Sequence, residues 1–167
     1  MSNNNGLTLL ECLIVISLSV ILLFSATSAY RHFTYKNQLS LLVNQFTDAL
    51  EFARNAAITS QSTITFCPNN GDETCGTHWQ NGQLIMDEKN QRVLRQLPVM
   101  PARFHLYWRS TLGDSRQLRW RSDGFTRGQQ GSFYVCGQKG SSAQIIILRT
   151  GRLREVMGNI AACDQMI

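Results

Sequence analysis

The sequence predicts an α+β protein in which one long N-terminal helix, membrane-spanning in its first half, packs against a C-terminal antiparallel β-sheet domain. Three observations predict it. From Cys12 to Tyr30 the chain runs for 19 residues without a charge, and as a helix at about 1.5 Å per residue this stretch reaches roughly 28 Å, the thickness of a bilayer core. From Leu39 to Ala57 apolar residues recur at three-and-four spacing, the pattern of a helix with one buried face. Beyond Ser62 the period drops to two, as in half-buried strands.

Taken in order, the first element carries one acid, Glu11, just inside its start. A carboxylate at bilayer depth costs a few kcal/mol or more unless a cation meets it, and no Lys or Arg precedes Arg31. Its partner is therefore expected from another chain or from a new amino terminus. No proline occurs before Pro68, so nothing kinks the helix. It is expected to run from about Thr8 to Ser60, in lipid over about 9–30 and amphipathic over 31–60, with Asn44, Thr47, Asp48, Glu51, Arg54 and Asn55 on its polar side. A secretory signal cut near Ala26-Thr27-Ser28 is a rival reading, although it lacks a basic n-region. An ordinary transmembrane anchor is another.

Residues 61–167 form the β-rich globular domain. Strands are expected near Thr63–Cys67, Gln83–Met86, Arg92–Leu97, Arg103–Trp108, Gln117–Arg121, Ser132–Cys136, Gln144–Thr150 and Arg152–Met157, because these runs are rich in β-branched and aromatic residues. Asn69 to Asp72, Asn81-Gly82 and Thr150-Gly151 supply turn residues between them. Ile145-Ile146-Ile147-Leu148 is the most apolar run and is expected to be central, buried on both faces. The whole is expected as one sheet wrapped on the second half of the helix.

Charge is uneven along the chain. Residues 92–154 hold 12 of the 16 Lys and Arg and only Asp114 and Asp123 in return, a local balance of +10 against −5 elsewhere. Such a concentration points to an anionic partner; a solvated basic face is the alternative. Of five cysteines, Cys12 lies in the apolar helix, and Cys67, Cys75, Cys136 and Cys163 lie beyond it. An even number suits an oxidising compartment, with local pairing expected, Cys67 to Cys75 and Cys136 to Cys163. Zinc is the alternative, though no Cys-x-x-Cys occurs and His32, His78 and His105 are scattered. There is no Gly-x-Ser-x-Gly, no His-Glu-x-x-His and no phosphate-binding glycine loop, so neither an enzyme nor a cofactor is expected.

The spacing of Gly6, Leu7 and Glu11 resembles the start of the type IV pilin and pseudopilin family. The resemblance implies a leader at 1–6, cleavage after Gly6 by a prepilin peptidase, and methylation of the Leu7 amine. It also implies that Glu11 meets such an amine, usually that of a neighbouring pilin subunit, during assembly from the inner membrane. Leu7 stands where the family usually has Phe, and the leader lacks its usual basic residue. Within the family, Phe66-Cys67-Pro68, the Asn70-Gly71-Asp72 turn, Cys75, Trp79, Gly82 and Asp87 are similar to a run in FimT-type minor pilins, which resemble GspH-type pseudopilins in fold.

The candidate site is Gly151-Arg152-Leu153-Arg154, similar to the Gly-Arg-x-Arg motif of the FimT-type proteins. Residues two apart in an extended chain face the same way, about 6.6 Å apart, so the two guanidiniums can track successive phosphates. Arginine suits this through its planar, permanently charged fork. The resemblance implies sequence-independent DNA binding for uptake in natural transformation, with Arg149 and Lys139 adding to the patch. Arg116, Arg119, Arg121 and Arg127 are further candidates, and Trp120 and Phe125 could stack on bases. In the competing reading Thr150-Gly151 merely turns a hairpin and the arginines keep an edge strand soluble. The protein would then be a structural pilus or type II secretion subunit that ignores DNA.

Overall fold

The structure is a computed structural model, and it describes residues 9–111, 116–126, 128–137 and 141–164. Met1 to Thr8, which contain Gly6 and Leu7, and Lys139 and Arg127 lie outside the described residues. Helix α1 runs Leu9–Ser60. The chain divides into two compact units, Met1–Gln38 and Leu39–Ile167.

In the first unit the helix exposes apolar side chains all round, from Leu9, Leu13 and Ile16 to Leu22 and Phe24. Ser17 and Ser19 turn their hydroxyls back to the carbonyls of Ile14 and Val15, each at 2.8 Å, which removes them as free polar groups. Among the described residues no helix is long and apolar enough to cross a membrane.

In the second unit the three-and-four pattern closes onto the core, with Leu39, Val43, Phe46, Ala49, Leu50, Ala53 and Ala57 all buried. The helix stops where Gln61 turns left-handed at φ 51, the conformation that commonly ends helices. The sheets follow as β1 (Ile64–Pro68), β2 (Gln83–Asp87), β3 (Arg92–Leu97), β4 (Phe104–Ser110), β5 (Leu118–Trp120), β6 (Gly131–Gly137), β7 (Ser142–Ile147) and β8 (Leu153–Gly158), with a short α2 at Ala161–Asp164. They form two four-stranded sheets, β3-β2-β1-β5 and β4-β6-β7-β8, in which all pairs are antiparallel. The single wrapped sheet expected from the pattern is thus two, because β5 returns to pair with β1 while β4 pairs with β6.

What joins the sheets is aromatic. Phe46 of the helix meets Phe66 of β1 at 5.3 Å and Phe133 of β6 at 4.8 Å between ring centroids. Trp79, on a 3-10 turn at Trp79–Asn81, stacks on Phe66 at 5.7 Å and meets Phe133 at 4.9 Å. Edge-to-face pairs of this kind add to the apolar burial.

Strand β7 is central, between β6 and β8, but beyond the buried Ser142 at its start only one of its faces is buried. Ala143, Ile145 and Ile147 point into the core, Gln144 and Ile146 are half-buried, and Leu148 is 48% exposed. The expected burial on both faces is therefore wrong: only the inner face of this sheet meets the helix and the other sheet, and the turn begins at Leu148.

Two disulfides tie the unit. Cys67–Cys75 closes the loop after β1, and Cys136–Cys163 fastens α2 to β6. The β2–β3 hairpin is held by Asp87, which is 3% exposed. Its Oδ1 accepts from the backbone N–H of Lys89 at 3.0 Å, and its Oδ2 accepts from the Asn90 amide at 2.6 Å.

Candidate nucleic-acid interface

The Gly-Arg-Leu-Arg run begins inside the β7–β8 turn. Gly151 N–H donates to the Leu148 carbonyl at 2.8 Å and Leu148 N–H to the Arg152 carbonyl at 3.0 Å, so Leu148 to Gly151 make a closed four-residue turn. Gly151 is buried at φ +75, and a Cβ there would collide with the Gly124 carbonyl and come within 2.9 Å of Arg54 Nε. Only glycine meets both demands. The side chain of Arg54, on α1, donates to that same Gly124 carbonyl at 3.2 Å. Gly124 has φ +75 as well, and its own missing Cβ leaves room for Ile58.

Three segments therefore meet: α1 at Arg54 and Ile58, the loop 121–126, and the β7–β8 turn. Thr126 completes the join, its N–H and hydroxyl both donating to the Arg149 carbonyl, at 3.1 and 3.3 Å. The loop is internally tied by Arg121 N–H to Phe125 O at 2.9 Å and Gly124 N–H to Arg121 O at 2.8 Å.

Around this joint Arg149, Arg152 and Arg154 are exposed, and Leu153 is half-buried opposite Ile147. Arg154 pairs with Ile146, on the outward face of the sheet. An open pocket of about 420 Å³ lies beside the turn, lined by Arg121, Asp123, Phe125, Thr126, Gly128 and Arg149. Arg121 and Asp123 are 3.4 Å apart, both well exposed, and such a surface pair contributes little to stability. An anion entering the pocket finds two guanidiniums and one carboxylate.

The structure sorts the other candidates. Arg121 lies beside Arg149 at the pocket next to the turn. Arg119 does not: it pairs with Glu88 at 2.7 Å on the other sheet, where Glu88 also accepts from Thr65 at 2.6 Å. Trp120 is fully buried in the core, whereas Phe125 is 43% exposed at the pocket, so stacking is open to Phe125 alone of the two. Glu11 lies in the first turn of α1. Arg54, expected only as part of the polar side of the helix, is instead half-buried and holds a loop 70 residues away, a contact that nothing in the local sequence signalled. Among the described residues no group of three or more His, Cys, Asp or Glu could hold a metal ion.

A family model described as type II transport protein GspH matches residues 42–151, ending one residue before Arg152. Among solved structures, the type IV minor pilin FimU of Pseudomonas aeruginosa aligns with TM-score 0.58 and 19% identity, covering 73% of this chain and 90% of that one. A second crystal form of FimU gives 0.56, 18%, 71% and 92%. The minor pseudopilin EpsH from the type 2 secretion system of Vibrio cholerae aligns with TM-score 0.55 and 11% identity, covering 71% of this chain and 96% of that one. At these identities the likeness is one of fold. No curated protein matches the chain.

Proposed function

The chain belongs to the GspH family of type II transport proteins, and on that premise we propose that it is a minor type IV pilin of the FimT kind, one that binds DNA without sequence preference for uptake in natural transformation. Arg152 and Arg154 contact successive phosphates, Gly151 sets the turn that presents them, and Arg149 and Lys139 extend the patch. Arg121 joins it from the neighbouring loop. The observation that carries this reading is the joint itself: a buried, left-handed Gly151 holds the turn rigidly on the helix while the arginines around it stand in solvent. A hairpin that needed only a soluble edge would not require such a fixture.

Before assembly the protein is held in the inner membrane by residues 9–30, with the globular unit in the periplasm. The exposed apolar side chains from Leu9 to Phe24 support that span. Residues 1–6 are the leader removed by the prepilin peptidase, and Glu11 meets the amine of a neighbouring pilin subunit. A structural role in pilus assembly or type II secretion, without DNA binding, is the second reading. It is favoured by the family match ending before the motif arginines.

The test is the double variant Arg152→Gln/Arg154→Gln, in full-length protein in detergent, titrated with labelled duplexes of unrelated sequence at several salt concentrations. Affinity should fall about equally for every sequence, and the slope of log affinity against log salt should become shallower by roughly 0.9 per lost phosphate contact. Unchanged affinity in a folded double variant selects the structural subunit. Loss confined to one sequence would mean base readout and contradict phosphate tracking.

A further inference from the structure

We propose that the outward face of the β4-β6-β7-β8 sheet is a platform for unpaired DNA, with Tyr107 and Tyr134 stacking on bases and Arg109 and Arg154 holding the backbone at its two sides. This deepens the DNA-binding reading and rests on it. Strand register supplies the geometry. One row across all four strands reads Arg154, Ile146, Ser132, Arg109, and the next reads Val156, Gln144, Tyr134, Tyr107. Their chain neighbours Leu106, Trp108, Phe133, Val135, Ile145 and Ile147 are buried, whereas these eight are half-buried or exposed. Alternation thus gives the sheet a packed face and an open one.

The open rows hold two arginines and no acid. Glu155 of β8 pairs with Ile145 and so belongs to the opposite face. Arg154 and Arg109 are three strand spacings apart, roughly 14 Å, with the tyrosine row alongside. Tyr134 is held at its hydroxyl end, because Gln144 Nε2 reaches the Tyr134 hydroxyl at 3.4 Å as well as Ser132 Oγ at 3.0 Å. A ring fixed in this way loses little freedom on stacking. Next to it is an open pocket of about 450 Å³ lined by Arg109, Ser110, Thr111, Gly131, Ser132 and Tyr134, a volume within the roughly 300–1,000 Å³ of small-ligand sites.

The chemistry selects the occupant. Aromatic rings interleaved with cations on a surface without carboxylates match a polyanion that also offers flat π-faces, which is a single strand of nucleic acid. In a duplex the base faces are stacked on one another, so the tyrosines have nothing to take and only the arginines can act. Tyrosine and arginine are also enriched at protein interfaces, so a protein partner on this face is an outcome the experiment must separate from the strand. Because Arg154 belongs to both the motif and the platform, a strand followed by the motif would continue directly onto the sheet.

The experiment uses full-length protein in detergent with two labelled probes, an oligothymidine single strand and a mixed-sequence duplex. Tyr107→Ala/Tyr134→Ala should weaken single-strand binding by at least about 5-fold, the low end for one lost stack, while duplex affinity stays within about 2-fold. Tyr107→Phe/Tyr134→Phe should restore single-strand binding. Arg109→Gln should weaken the single strand more than the duplex, and Arg152→Gln/Arg154→Gln should weaken both. Retained duplex binding reports that the alanine variant is folded; should it lose both probes, photocross-linking of bromodeoxyuridine strands to wild-type Tyr134 decides instead. Single-strand binding unchanged in the alanine variant, or no cross-link at Tyr134, overturns the platform and leaves the arginine motif standing. Duplex affinity indifferent to the arginine pair would instead overturn the DNA reading at its root. An alanine variant that binds both probes normally but no longer co-purifies with other pilins would make the face a subunit contact, against the proposal.

Discussion

Gly151 carries more of the site than either arginine beside it. Its left-handed backbone costs an L-residue about 1–2 kcal/mol before any contact is counted, and the Gly124 carbonyl stands where the new carbon would go. Gly151→Ala should therefore lower unfolding free energy by more than that strain alone, read by urea denaturation. It should also weaken DNA binding with both arginines intact, since the turn must shift off Gly124. Wild-type stability in this variant would mean that the turn is loose and that the joint does not aim the motif. Asp87 gives a residue-scale prediction in pH. Burial pushes its carboxyl up, but hydrogen bonds from Asn90, Ser62 and the Lys89 and Asn90 backbone outweigh it and leave the pKa below the ordinary 3.8. A lowered value means that the stabilising contribution is complete above the unfolded value and is lost as pH falls through the folded one. Asp87→Asn should thus cost stability at pH 7 and progressively less below about pH 4, measured by denaturation of both proteins across that range. A difference that grew on acidification would reverse the sign and refute the account.

At the scale of elements, Cys136–Cys163 closes a covalent loop of sequence separation 27 that contains β7, the motif turn and β8. Replacing both cysteines by serine should cost about 2–5 kcal/mol, as for a native bridge in a small domain. Hydrogen exchange should quicken in α2 and β8 before it quickens in β1. Free thiols at Cys136 and Cys163 in periplasmic material would remove the bridge from the argument. The same elements show what was legible in the sequence. Eight strands were readable because period two and turn residues are local signals, and the helix end near Ser60 because the apolar stripe stops there. The division into two sheets was not, since it depends on β5 returning to Phe66 and Ile64 of β1. For the same reason Arg119 and Arg121, two residues apart on paper, went to different sides, one to Glu88 and one to the motif turn. Trp120 read as a possible base stacker only because its burial is set by β1, far away in the chain.

For the molecule as a whole the decisive question is where its mature chain begins. The uncharged run between Glu11 and Arg31, the exposed apolar side chains from Leu9 to Phe24, and the absence of proline before Pro68 are the features on which the proposed place of the helix in lipid and then in a filament rests. A secreted enzyme or free DNA-binding domain would have no use for it. If the Gly6 and Glu11 spacing is that of a pilin, mass spectrometry of the N-terminal peptide should find Leu7 first and N-methylated, and Glu11→Ala should leave the protein in the membrane but keep it out of filaments. A carboxylate near the start of an apolar helix is tolerable in lipid only when paired, and on the proposed reading a methylated amine of an adjacent subunit would supply the pairing charge at assembly. Replacing the acid by alanine removes the charge that an incoming amine would meet. Filaments containing normal amounts of Glu11→Ala protein would contradict that mechanism. An N-terminus at Ala29 or Tyr30 would go further, since the cut would discard the apolar first part of the helix and leave a secreted domain whose arginines act without a pilus.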